Sequence, residues 1–119
     1  MEPDSIRGTW IPVEAILEGK RLPEEGLEGM VLTIDHTTYS LQAPGGLDKG
    51  TVEVHSLQYP LGVDLTVTDG PNRGRVRRAI WETAGNWMRV CYAIEGSERP
   101  SKFEASEGEP SLLVTYRRT

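Results

Sequence analysis

Between residues 8 and 118 the chain is a succession of short runs in which apolar and polar residues alternate. Met30, Leu32 and Ile34 share one side of an extended segment whose other side carries Val31, Thr33 and Asp35. Val52 and Val54 alternate with Glu53 and His55, and Val63, Leu65 and Val67 with Asp64, Thr66 and Thr68. Met88, Val90 and Tyr92 alternate in turn with Trp87, Arg89 and Cys91. A period of two belongs to a half-buried β-strand, and almost no stretch here keeps the 3.6-residue period of a helix. Gly, Pro, Asn and Asp punctuate the runs every 8–12 residues or so, which is the spacing of a β-sandwich or β-barrel.

Eight strands are expected, at 8–17, 29–35, 37–43, 50–56, 63–69, 75–83, 86–93 and 112–118. Pro12 places a bulge or an edge inside the first. The only helical signal is LPEEGLEG (22–29), where proline followed by acidic residues suits a single turn. Eight antiparallel strands can close on themselves and so remove the unpaired edges of an open sheet. The expected fold is therefore all-β, one eight-stranded antiparallel up-and-down barrel, forming a single domain over 1–119. In such a barrel successive connections alternate between its ends. Those at 18–28, 44–49, 70–74 and 94–111 fall at one end, and those at 36, 57–62 and 84–85 at the other. The first set is longer and richer in Gly and Pro, which makes it the candidate mouth.

Composition excludes several classes of function. A net charge of −5 is the wrong sign for general binding to nucleic acid or anionic membranes, which needs surplus Lys and Arg. The arginines of TDGPNRGRVRR (68–78) read as a turn followed by a strand with a charged solvent face, opposed by glutamates at the same end. The single cysteine, Cys91, has no partner for an internal disulfide and reads as a small buried thiol. His36 and His55 are the only histidines, both expected in solvent, and no ligand spacing suggests a metal. No nucleophile, phosphate-loop or dinucleotide motif is present, so no catalytic residue and no cofactor is assigned. MEPDSIRG lacks the basic and apolar regions of a secretion signal, and the expected location is the cytoplasm.

A tryptophan at position 10 needs something to hold it, because chain ends fray. In the barrel it plugs the end opposite the mouth, where the last strand also terminates. Gly8-Thr9-Trp10 resembles the G-x-W of the lipocalin and calycin superfamily. More closely, GTW, VDLTVTDGPNRGR, AIWE, RVCYAIEGSERPSKFE and LLVTYRR resemble the small lipocalin-like domain family of unassigned function that is abundant in planctomycete bacteria. The resemblance implies a tryptophan at the barrel base with an arginine of the last strand across its ring. That arginine is expected to be Arg117, with Arg118 taking its place if the register slips by one residue.

The expected function is binding or sequestering a small, largely apolar ligand, anionic at one end, by a monomer or weak homodimer. Its wall should include Leu32, Leu41, Val54, Leu65, Ile80, Val90 and Tyr92, with Tyr39 lending a hydroxyl. Arg78 would supply the charge if it faces inward with Ile80 and Glu82. Parity along that strand equally allows Ala79 and Trp81 inside with the charges in solvent. Two alternatives stand beside the ligand-binding reading. One is a barrel enzyme of the cyclase or isomerase kind, the other an interaction module whose barrel is filled.

Overall fold

The structure, a computed structural model, describes residues 7–35, 37–43, 46–55, 61–94, 98–105 and 111–119. Nine strands form one antiparallel sheet: β1 Gly8–Leu17, β2 Lys20–Arg21, β3 Val31–Asp35, β4 Thr38–Ala43, β5 Gly46–His55, β6 Leu61–Asp69, β7 Val76–Ala84, β8 Trp87–Ala93 and β9 Ser111–Arg118. Each of β3 to β9 pairs with its neighbours in sequence order, and β1 pairs with both β3 and β9. The sheet therefore closes as an eight-stranded up-and-down barrel. Two-residue β2 lies outside the ring, pairing only with Ile16 and Leu17 of β1. The acidic segment makes one 3-10 turn, Glu24–Gly26. No helix among the described residues is long and apolar enough to cross a membrane.

Two irregularities set which side chains face inward. In β1 the register shifts between Pro12 and Glu14, leaving Val13 as the extra residue of a bulge. A bulge reverses parity along a strand, so Trp10 and Ala15 both reach the core although five residues apart. A second shift, between Lys49 and Gly50 of β5, leaves Thr68 unpaired on β6. β5 also starts earlier than its alternation implies. Leu47 and Asp48 extend the ladder against Gln42 and Leu41 of β4, and buried Asp48 accepts hydrogen bonds from the backbone N and the side-chain amide of Asn72. That carboxylate ties the start of β5 to the 70–75 turn.

The core is a band of inward side chains from every strand of the ring, including Trp10, Leu32, Tyr39, Val63, Trp81, Val90 and Tyr116. A segment after β8, residues 98–105, lies across the outer wall. Arg99 donates to the carbonyls of Val63 and Ala79 at 3.0 and 3.2 Å, and Cys91 Sγ lies 3.5 Å from the carbonyl of Glu104. The Arg89 guanidinium stacks on Phe103, 4.8 Å from the ring centre.

At the base, Arg118 and not Arg117 covers Trp10. Its guanidinium carbon lies 4.2 Å from the ring centre, and Trp10 is opposite Arg118 in the β1–β9 ladder. Residues directly opposite share a face. Arg117 is opposite Ile11 on one side and Trp87 on the other, all three exposed on the outer wall.

Candidate functional site

Along β7 three consecutive residues, Ala79, Ile80 and Trp81, are buried, so exposure alone does not say which face is inner. Packing does. Ala79 and Trp81 belong to the interior cluster, whereas Ile80 does not. Ile80 is opposite Cys91, and Cys91 touches the 98–105 segment on the outside. Ile80 is thus buried under that segment, not in the barrel. Arg78 and Glu82 share its outward face; Arg78 is exposed, and Glu82 pairs with Arg89. Neither lines an interior pocket.

The inward cation is Arg77. It shares parity with Ala79 and Trp81 and stands opposite Leu65, whose side chain is in the core. Leu32, Tyr39, Leu41, Val54, Leu65, Val90 and Tyr92 all lie in or against that same core. The structure adds Arg77, Trp81 and Tyr116 to the group.

This interior carries several donors; the carboxylate on the same face, buried Asp48 opposite Leu41, already accepts from Asn72. The Tyr92 and Tyr116 hydroxyls hydrogen-bond each other at 2.8 Å. A pair of hydroxyls has two protons and uses one between them, so one remains to donate elsewhere. Among the described residues, Tyr39 Oη and Trp81 Nε1 are buried with no hydrogen-bond partner, a condition that costs roughly 1–3 kcal/mol each. Such orphaned donors are uncommon in folded proteins and mark places where an acceptor fits.

Burial controls the titration of these hydroxyls. It pushes Tyr92 up to about 12, with the bond to Tyr116 and the charge of Arg77 pulling the other way. Tyr116 is pushed well above its ordinary value by burial, and the neighbouring Tyr92 adds to this. Tyr39 is raised by burial, lowered in part by Arg77 and raised again by Asp48. At neutral pH all three are therefore neutral donors. Unfolded tyrosine ionises near pH 10, so above that the unfolded chain releases protons the native barrel retains. Stability should be intact below pH ~10 and fall through about pH 12. For Tyr92 alone the loss is on the order of 2–3 kcal/mol, from the shift to about 12. Urea midpoints near pH 9 and pH 11 check this: the second should be clearly lower, and the gap smaller in Tyr92→Phe. Equal midpoints would refute the buried-hydroxyl account.

A second polar cluster lies on the outer wall. Asp64 of β6 faces Arg99 Nη2 at 2.8 Å and His55 Nε2 at 3.0 Å. Burial works to raise the Asp64 carboxyl, but the hydrogen bonds from His55 and Arg99 outweigh it and hold the group below the usual carboxylate range. His55 is thus engaged at the wall and only partly exposed, in contrast with the solvated position expected of it. His36 lies outside the described residues. Cys91 is fully buried, as its strand context implies. Comparison with models of known families, with curated proteins and with solved structures finds no match to this chain.

Proposed function

We propose that the barrel binds one small molecule, apolar over most of its surface and carrying a carboxylate or similar oxygen-rich head. The carrying observation is the pair of buried, unpartnered donors, Tyr39 Oη and Trp81 Nε1, in an interior whose inward cation is Arg77. An anionic head would take a charge-assisted hydrogen bond from Arg77 and neutral ones from the tyrosine and indole. Leu32, Leu65, Val90 and their neighbours supply the apolar contact for the rest of the molecule. The Trp10–Arg118 stack at the closed base also fits a lipocalin-like barrel, a fold plan in which one end is plugged and the other admits a ligand.

The test is titration with a fluorescent apolar carboxylate and with its neutral amide analogue. Wild-type protein should bind the acid saturably at one to one. Arg77→Leu should weaken it by roughly ten- to a hundredfold, the scale of one charge-assisted bond of ~1.5–3 kcal/mol, and leave the amide nearly unaffected. Leu65→Trp should block both. Absence of saturable binding to the wild type would sink the proposal and favour a filled barrel acting as a module.

A further inference from the structure

On the outer wall, away from the interior, Glu53 and Asp64 are directly opposite each other in the β5–β6 ladder. Like charges at such a position repel. Arg99 answers Asp64 through Oδ1, and Arg78, exposed, is opposite Asp64 on β7. Glu53, with its side chain 75% exposed, has His55 Nε2 at 3.9 Å. His55 follows two residues after Glu53 on the same face of β5. Its Nε2 stands 3.0 Å from Asp64 Oδ2, so the imidazole nitrogen lies between two carboxylates. One ligand atom from each of the three residues falls within 4.8 Å of the others. Among the described residues this is the one place where three such side chains converge.

We propose that Glu53, His55 and Asp64 form a binding site for a first-row divalent transition metal, zinc being the simplest case. Metal–nitrogen and metal–oxygen bonds of ~2.0–2.2 Å place ligand atoms about 3.0–3.5 Å apart around one ion. The His55–Asp64 distance already has this value, and the His55–Glu53 distance needs only a rotation of the exposed Glu53 side chain. The neutral imidazole with its proton on Nδ1 offers a lone pair at Nε2, so the ion replaces the hydrogen bond between His55 and Asp64. Arg99 keeps Oδ1, leaving Oδ2 for the metal. Three protein ligands leave the remaining positions to water, on the solvent side where Glu53 stands. One imidazole with two carboxylates suits zinc better than calcium or magnesium, which favour all-oxygen sets.

The experiment is calorimetric titration of untagged, chelator-treated protein with zinc, paired with the visible absorption spectrum of the cobalt(II) form. Wild type should bind one equivalent, and bound cobalt should show d–d bands. Glu53→Gln and His55→Gln should each weaken zinc binding at least tenfold, and His55→Gln should remove the bands. Glu53 is exposed, so its variant tests the site without disturbing packing at the wall. His36→Gln should bind as wild type does. No binding by the wild type, binding by the Glu53 or His55 variant as tight as the wild type's, or loss of binding in His36→Gln would each overturn the proposal. Because these residues lie outside the barrel, Leu65→Trp should leave zinc binding unchanged whatever it does to the apolar probe.

Discussion

Replacing Trp10 with alanine should lower the unfolding free energy by about 3–5 kcal/mol, the cost typical of emptying a large aromatic site in a core. Trp10 is fully buried, and its neighbours cannot easily collapse into the space. It sits where β1 is paired with β3 on one side and β9 on the other. The backbone around it is held by both ladders. Arg118 Nη1 donates to the carbonyl of Arg7, and the Thr119 amide to the carbonyl of Thr9. The start of β1 and the end of β9 therefore meet at the indole, and loss of the ring loosens the seam that closes the barrel. For a domain of this size the melting temperature should drop on the order of 10–20 °C. Arg118→Ala should cost about 0.5–2 kcal/mol as the cation leaves the ring face, and Arg117→Ala, on the outer wall, within about 0.5 kcal/mol. Thermal and urea unfolding of the three variants decide it. Trp10→Ala melting within a degree or two of wild type would remove the plug, and equal losses in the two arginine variants would remove the stack.

The expectation of Arg117 over Trp10 came from the resemblance, and the structure puts Arg118 there. Within LLVTYRR the large inner residues Leu112, Val114 and Tyr116 share parity with Arg118, so alternation alone points to it. The barrel itself was equally legible, because β3 to β6 have one face wet and one dry and the period of two survives. On β7 the same rule breaks down. The 98–105 segment covers the outer wall, so Ile80 is as buried as its inward neighbours. A strand buried on both faces shows no alternation, and Arg77 and Arg78 cannot then be told apart by pattern. The segment that hides this signal is polar and long, and its docking rests on Arg99 reaching two backbone carbonyls. Backbone acceptors leave no trace in composition. Likewise Glu53, His55 and Asp64 meet only because β5 and β6 pair in one register. A shift of one residue would send Asp64 to the other face.

Gly50→Ala should be among the most damaging single-methyl additions in this chain, costing at least ~3 kcal/mol. Elsewhere in a strand alanine is the better residue, since it loses less backbone entropy on folding and commonly gains about 0.4–1 kcal/mol. At position 50 the sign reverses. A Cβ there would overlap the backbone carbonyl of Thr66 and lie 2.9 Å from Cε1 of Tyr39. The aromatic ring of Tyr39 occupies the space a side chain would need, on the strand directly opposite. Thr66 cannot retreat, because it is paired with Thr51 on one side and Val76 on the other. Overpacking into side chains costs typically 1–3 kcal/mol, and here the obstacle is backbone, so the cost lies at the top of that range or above it. Relief would have to come from unpairing β5 from β6 next to the bulge, which would also shift the Tyr39 hydroxyl. Gly26→Ala is the control: nothing lies within 4 Å of a Cβ there, and its stability should change by less than ~1 kcal/mol. Paired urea unfolding of the two variants measures the difference. A Gly50→Ala protein as stable as Gly26→Ala would mean that β5 and β6 do not approach as closely as their register requires.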